Sequence, residues 1–132
     1  MRILILFLLF PFFSLTQCSE GEYPIYISTS SGEWAYEMSW GLFDYNTWMN
    51  EEIDVNNALF SFEGEENFET ITLDACLPSS GCYIIAAYDS YGDGWNGGSL
   101  TVNINNSKDP QTYEMYNGTW EYWTFEVNSK LC

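Results

Sequence analysis

The chain has 132 residues, which is enough for one domain, and its 19 acidic residues against three basic ones give a formal net charge of −16. So acidic a protein is a poor partner for nucleic acid or for an anionic membrane surface. Aromatic residues make up 19% of the chain, which supplies a core and argues against intrinsic disorder.

The first 18 residues have the pattern of a secretory signal peptide. Arg2 precedes an apolar run at residues 3–13, which is too short to span a membrane. Cleavage after Thr16 and cleavage after Cys18 both place small residues at the cut. We therefore expect a secreted protein, extracellular or at the cell surface, with no membrane span and a single domain at residues 19–132.

Apolar and polar residues alternate in several short segments, as they do in half-buried strands. The strictest alternation runs from residue 33 to 42 and places Trp34 and Trp40 on the face predicted to be buried. Residues 83–88 are apolar on both faces, which predicts a central strand. Residues 44–57 are polar and irregular, with room for a helical turn. The predicted strands are residues 22–28, 33–42, 58–62, 70–76, 83–88, 99–105, 111–116 and 119–127.

Eight strands separated by turns about every ten residues predict an all-β fold, an antiparallel β-sandwich or jelly roll. Pro24 lies near the start of the first strand and favours an edge position, because proline has no N–H to donate to a neighbour. Asn117 and Gly118 lie between the last two strands and predict a two-residue hairpin.

Four cysteines on a secretory route predict disulfide bonds. Cys76 and Cys82 bracket a turn that contains proline and glycine, which favours a short bridge between them. Cys132 would then pair with Cys18 or with another molecule. The chain contains no histidine, which argues against a zinc site built on these cysteines.

Residues 89–98 form a loop with four glycines and two aspartates. Asp89, Asp93 and the backbone carbonyl of Trp95 match the first, fifth and seventh positions of the EF-hand calcium loop, but the twelfth position is Leu100 instead of glutamate. The loop also joins predicted strands, so it is not an EF-hand. It predicts a partial calcium site that a carboxylate from elsewhere would complete.

Three acidic residues are candidates for that further ligand, namely Glu37, Asp44 and Asp74. We expect weak calcium binding, on the order of 10⁻⁴ to 10⁻³ M, as in other extracellular modules. The structural alternative is that the glycines form a tight connection in which Asp89 and Asp93 accept hydrogen bonds from backbone N–H groups.

Two segments of the chain resemble motifs of a known domain. They are residues 76–83, Cys-Leu-Pro-Ser-Ser-Gly-Cys-Tyr, and residues 88–98, Tyr-Asp-Ser-Tyr-Gly-Asp-Gly-Trp-Asn-Gly-Gly. They are similar to motifs of a small secreted domain that recurs in extracellular proteins of algae, oomycetes, ciliates and some bacteria. Residues 31–40 resemble a Trp-x-x-Glu-x-Ser-Trp strand of the same domain. The resemblance covers about residues 22–127 and implies a β-sandwich with a pinned hairpin and a calcium-type loop. It implies no catalytic activity, and this chain has one extra residue between the two cysteines.

The chain contains few residues that could act in catalysis. Without histidine, and with cysteines expected to be oxidised, neither a catalytic triad nor thiol chemistry has its base or nucleophile. A carboxylate pair for glycoside hydrolysis is the remaining arrangement, but a domain of this size leaves little room for both a core and a deep cleft. We therefore expect a non-enzymatic protein.

Two tryptophans in predicted loops, Trp48 and Trp95, are candidate platforms for stacking against sugar rings. Asn105 and Asn117 begin Asn-x-Ser/Thr sequons, so the protein is also expected to carry sugar.

Because the chain has few candidate catalytic groups, we expect it to have a binding or structural function. The preferred hypothesis is a structural or adhesive subunit of an extracellular coat or filament, which associates with itself or with other extracellular glycoproteins. Cys132, if unpaired, and the predicted edge strand at 22–28 would provide the contacts. The alternative hypothesis is a calcium-dependent, lectin-like module that binds carbohydrate.

Overall fold

A computed structural model describes residues 17–50, 53–130 and 132 of the chain. The predicted signal peptide therefore lies almost wholly outside the described residues. The strands are β1 (Tyr23–Ser30), β2 (Met38–Asp44), β3 (Phe60–Glu63), β4 (Thr70–Leu77), β5 (Gly81–Asp89), β6 (Ser99–Ile104), β7 (Gln111–Tyr113) and β8 (Trp120–Val127). Helix α1 spans Tyr45–Asn50, and two 3₁₀ helices span Ala35–Glu37 and Val55–Asn57.

The eight strands form two four-stranded sheets. The first sheet has the order β4-β1-β6-β7, and the second has the order β3-β2-β5-β8. Every pairing within these sheets is antiparallel. The predicted fold class, an all-β antiparallel sandwich of about eight strands, is confirmed.

The core lies between the sheets because alternate side chains of each strand point inward. Ile25 and Ile27 of β1 meet Trp40 of β2 and Ile85 of β5 there, and all four are buried. The indole Nε1 of Trp40 donates a hydrogen bond of 3.1 Å to the Thr29 hydroxyl of the opposite sheet. The polar atom of this large side chain is thus satisfied inside the core, and the bond also links the two layers.

Strand β5 is central in the second sheet, as predicted. Residues 82–87 are all buried, although every second side chain points away from the core. Helix α1 covers part of that outer side, where the ring of Trp48 packs on Phe43 at a centroid distance of 5.7 Å. The predicted helical turn within residues 44–57 is therefore present, as α1 and one 3₁₀ helix.

The strand predicted at residues 33–42 is only half correct. Strand β2 begins at Met38, and Trp34 stands before it in a left-handed conformation with φ of 62°. The Ala35 N–H donates to the Asn67 side chain at 2.9 Å, a contact between distant segments that replaces a strand pairing. Trp40 is a core residue as predicted, but Trp34 is 52% exposed, so its assignment to the core is wrong.

The predicted hairpin at Asn117 and Gly118 is wrong. Strand β7 pairs with β6 in the first sheet, whereas β8 pairs with β5 in the second, so this segment crosses between the sheets. The N–H of Gly118 donates to the carbonyl of Gly92 at 3.0 Å. The turn therefore makes its backbone contacts with the glycine loop instead of closing a hairpin.

The predicted edge position of the first strand is also wrong. Strand β1 lies between β4 and β6 and pairs with both of them. Pro24 is opposite Cys76 of β4, close to the start of the strand, where one missing N–H costs the sheet little.

The disulfide pairing differs from the predicted short bridge. Cys18 is bonded to Cys76, and Cys82 is bonded to Cys132, with Cα–Cα distances of 5.7 and 5.1 Å. The turn between Cys76 and Cys82 connects β4 of one sheet to β5 of the other, so the two cysteines enter different layers. Each finds its partner near a terminus, and the two bonds are compatible with an extracellular protein.

None of the helices in the described segments has both the length and the apolar character that a membrane crossing requires.

Candidate functional site

The glycine loop at residues 89–98 connects β5 to β6 and so passes from one sheet to the other. Its first residue, Asp89, has a fully buried side chain at 0% exposure. One carboxylate oxygen accepts the N–H of Tyr91 at 3.0 Å, and the other accepts the N–H groups of Gly92 and Gly94. The structural alternative proposed for the aspartates therefore holds for Asp89, which is a backbone acceptor at the centre of the loop.

The loop is held in place by the segment that crosses between β7 and β8. The N–H of Trp95 donates to the carbonyl of Met115 at 2.7 Å, and the N–H of Asp89 donates to the carbonyl of Thr119 at 2.9 Å. Gly94 has φ of 93°, and a Cβ atom at this position would lie 2.5 Å from the Met115 oxygen. Glycine is required here because both the conformation and the close approach exclude a side chain.

Trp95 is not available as a sugar platform, and that prediction is wrong. Its side chain is 2% exposed, its Nε1 donates to the Tyr88 carbonyl at 2.9 Å, and its ring packs edge-on against Trp123. Its own carbonyl, the predicted backbone ligand, accepts the N–H of Gly98 at 2.7 Å. Trp95 thus anchors the loop in the core.

Three carboxylates meet at the outer side of the loop. Oxygen atoms of Glu37, Asp89 and Asp93 all lie within 4.8 Å of one another. Glu37 ends the 3₁₀ helix before β2, and its carbonyl accepts the N–H of Ser90 at 3.0 Å, which ties this segment to the loop. Of the three candidates for a further ligand, Glu37 is the one that the fold brings to the two aspartates.

The other two candidates lie elsewhere. Asp44 precedes α1 and accepts hydrogen bonds from the backbone N–H and the hydroxyl of Thr47. Partial burial opposes ionisation of Asp44, but hydrogen bonds from Thr47 and from the backbone N–H groups of Asn46 and Asp44 together lower the pKa of this carboxyl. Asp74 lies in β4 opposite Tyr26, in the first sheet.

The carboxylates of the cluster repel one another. Loss of solvent raises the pKa of Glu37 above its ordinary value, and the negative charges of Asp93 and Asp89 raise it further. Calcium takes six to eight oxygen ligands, and the three carboxylates would supply only part of that set. Asp89 has less to offer than the others, because its oxygens already accept three N–H groups.

Exposed aromatic rings surround the cluster. Trp34, Tyr36 and Tyr91 line an open pocket of about 340 Å³ together with Glu37 and Asp93. Tyr91 is 76% exposed, and the rings of Trp34 and Tyr36 meet edge-on at 6.1 Å. None of these three residues was predicted as a site residue. For Trp34 the reason is that the two-residue alternation placed it in the core. The pair Ser31 and Gly32 just before Trp34 was the available signal of a turn.

The remaining predicted site residues are dispersed. Trp48 is half-buried between Phe43 and Tyr122, and its role as a sugar platform stays a prediction. Asn105 and Asn117, the sequon asparagines, are both exposed in connections between strands.

No family model matches the chain, and no curated protein or solved structure is significantly similar to it. The resemblance to a small secreted domain therefore stays a prediction.

Calcium binding stays a prediction, and it should weaken as pH falls through the pKa of Glu37, which is raised above the ordinary 4.5. A protonated carboxyl is not a calcium ligand, so protons compete with the ion. Without calcium, the stability of the fold depends on pH in the opposite direction. Protonation of Glu37 favours the folded state, so the free energy of unfolding falls as pH rises through this pKa. Calorimetric titration with calcium across the acidic range measures the first effect.

The matched variants are Glu37→Gln and Asp74→Asn. Glu37→Gln should weaken binding and flatten its pH dependence, whereas Asp74→Asn, in the first sheet, should bind as the wild type does. Equal affinities for wild type and Glu37→Gln would refute the site.

Proposed function

We propose that the protein is a non-enzymatic, secreted adhesive module that binds carbohydrate in a calcium-dependent manner. The observation that carries this proposal is the open pocket in which Trp34, Tyr36 and Tyr91 surround Glu37 and Asp93. Aromatic rings stack on the apolar faces of sugars, and carboxylates accept hydrogen bonds from hydroxyl groups. One opening that offers both suits a saccharide better than a purely ionic or purely apolar ligand.

Glu37, Asp89 and Asp93 are the residues that would hold calcium. The ion would supply a Lewis-acidic centre that accepts hydroxyl oxygens as ligands, and the three carboxylates leave several coordination positions for water or sugar. Asp89 contributes mainly by fixing the loop, so Glu37 and Asp93 are the more accessible ligands.

Secretion, an extracellular or cell-surface location and N-glycosylation belong to this proposal. The signal-peptide pattern of residues 1–18, the two disulfide bonds and the exposed positions of Asn105 and Asn117 support them.

A glycan array probed with the purified protein, in calcium and after chelation with EDTA, tests the function. We expect chelation to abolish binding to the recognised glycans. Trp34→Ala should weaken binding at least about tenfold, which corresponds to about 1.4 kcal/mol. Asp93→Asn should reproduce the effect of EDTA in part.

Tyr26→Ala is the matched control, because Tyr26 is also an exposed aromatic residue but lies in the first sheet. It should bind as the wild type does. An array without signal, or binding that neither EDTA nor Trp34→Ala reduces, would contradict the proposal.

Assembly into an extracellular coat or filament is the second candidate function. Two earlier arguments for it no longer apply, since Cys132 is bonded to Cys82 and the strand at 22–28 is interior. The observation that now favours it is β4, an eight-residue strand at the edge of the first sheet. Such an edge carries backbone groups that can pair with a strand of a second molecule.

Electron microscopy and sedimentation of the secreted protein test this second candidate. Assembly through β4 should be lost in Ile71→Lys, because a charged residue on an exposed edge strand opposes pairing. Val55→Lys, also an exposed apolar position, should leave assembly unchanged. A protein that stays monomeric at all concentrations would exclude assembly.

A further inference from the structure

Four aromatic side chains on the outer side of the second sheet are called the ring face here: Trp48, Tyr88, Trp120 and Tyr122. Tyr88 of β5 is paired with Trp120 of β8, and Tyr122 lies two residues further along β8. Their neighbours Ala87 and Trp123 face the core, so strand alternation turns these side chains outward. Trp48 joins the group from α1.

Three of these rings are in contact with one another, and Tyr88 lies beside them as the cross-strand partner of Trp120. Trp120 and Tyr122 lie 5.9 Å apart with nearly parallel planes, and Tyr122 lies 5.9 Å from Trp48. Tyr88, Trp120 and Tyr122 are each more than half exposed. Large contiguous apolar surfaces of this kind mark interaction sites, whereas single exposed rings do not.

A groove of about 230 Å³ lies beside the ring face. Its lining, which includes Tyr88, is mostly apolar and carries polar side chains at Ser39, Asp54 and Glu63. The groove therefore adds hydroxyl and carboxylate groups next to the rings. Flat apolar rings with hydrogen-bonding groups along one side match a pyranose chain, which has apolar ring faces and hydroxyl groups around its rim.

Charge decides between the occupants that such a surface could take. The chain carries a formal net charge of −16, so an anionic polymer would meet long-range repulsion. A basic partner would pair with the carboxylates of the groove, Asp54 and Glu63, and would leave the four uncharged rings without a matching group. A neutral polymer meets no repulsion and uses the rings directly.

We propose that the ring face binds a neutral, β-linked polysaccharide, without calcium and independently of the pocket formed by Trp34, Tyr36, Glu37, Tyr91 and Asp93. β-Linked glucose and N-acetylglucosamine polymers present extended, flat chains whose sugar faces can cover several rings at once. The calcium-dependent pocket would then select a terminal or branching sugar, while the ring face holds the length of a chain.

Binding of the full protein to insoluble cellulose and chitin, measured with EDTA present, tests this inference. The wild type should be depleted from solution by at least one of the two polymers. The double variant Trp120→Ala/Tyr122→Ala should bind at least about tenfold more weakly, because each ring removed takes away one stacking contact. Tyr26→Ala, which removes an exposed aromatic ring from the other sheet, is the control and should bind normally.

A measurement on the wild type covers the case in which the double variant does not fold. Titration with cellohexaose and chitohexaose, followed by NMR, should shift the indole N–H signal of Trp120 and leave that of Trp34 unchanged. Failure of the wild type to bind either polymer, or a double variant that folds and binds normally, overturns the inference. Dimerisation that the double variant abolishes would instead make the ring face a contact between copies, and would equally overturn it.

Discussion

Replacement of Asp89 by alanine is expected to lower the free energy of unfolding by about 3–5 kcal/mol, because three N–H groups lose their acceptor and one of these hydrogen bonds is fully buried. The backbone N–H groups of Tyr91, Gly92 and Gly94 all donate to this carboxylate, which solvent does not reach. Urea denaturation of the wild type and the variant, with EDTA present, measures the effect.

Two variants separate this structural role from calcium binding. Asp89→Asn keeps the size of the side chain but replaces one acceptor oxygen by a donor, so we expect a loss of about 2–3 kcal/mol. Asp93→Asn alters an exposed carboxylate and should change stability by less than about 1 kcal/mol without calcium. A stability loss for Asp93→Asn as large as that for Asp89→Ala would contradict the assignment of Asp89 as the structural member of the pair.

Asp89 therefore contributes to the site mainly by holding the loop in its conformation. By fixing the path of the loop it places Asp93 near Glu37, and it adds its own negative charge to the cluster. We therefore expect Asp89 variants to lose calcium binding together with stability, and Glu37 or Asp93 variants to lose calcium binding alone.

Removal of either disulfide bond is expected to destabilise the fold by about 4 kcal/mol. The bonds close loops with sequence separations of 58 and 50 residues, and loops of this length give that value in the chain-entropy treatment. A small domain is stable by only about 5–15 kcal/mol, so either loss removes a large part of the total. Urea denaturation of Cys18→Ser/Cys76→Ser and of Cys82→Ser/Cys132→Ser measures the two effects.

The pairing itself is tested by peptide mapping without reduction. Digestion with pepsin at low pH, where thiolate exchange is suppressed, should yield peptides that join Cys18 to Cys76 and Cys82 to Cys132. A peptide that joins Cys76 to Cys82 would restore the short bridge and refute the observed pairing. The same digest reports signal processing, since cleavage after Thr16 retains Cys18 and cleavage after Cys18 would leave Cys76 without its partner.

Local pattern was a good guide wherever a strand lies with one face on the core or with both faces covered. The alternation around Val102 and the apolar run at residues 83–88 predicted β6 and β5, and Trp40 was correctly placed inside. These predictions succeed because burial of alternate side chains is a property of the strand itself, whichever strand lies beside it.

The candidate site could be predicted only in part, because it is assembled from segments that are far apart in the chain. Its two aspartates share one loop and were visible in the sequence, and Glu37 was one of three acids that could have joined them. Trp34 was misassigned because two-residue alternation continues through a segment that contacts distant residues such as Asn67 instead of a neighbouring strand. Trp95 was misassigned because a loop position does not reveal that the side chain turns back into the core.

Composition and residue pattern were enough to predict a small, acidic, all-β protein with disulfide bonds and a glycine loop that contains two aspartates. Tertiary structure alone decided which strands are neighbours, and therefore that β1 is interior, that residues 117–118 cross between sheets, and that Cys76 and Cys82 have separate partners. The reason is that these choices depend on contacts between residues far apart in the chain, which strand periodicity does not encode. The same long-range contacts bring Glu37 to the loop and set its exposed aromatic neighbours around it.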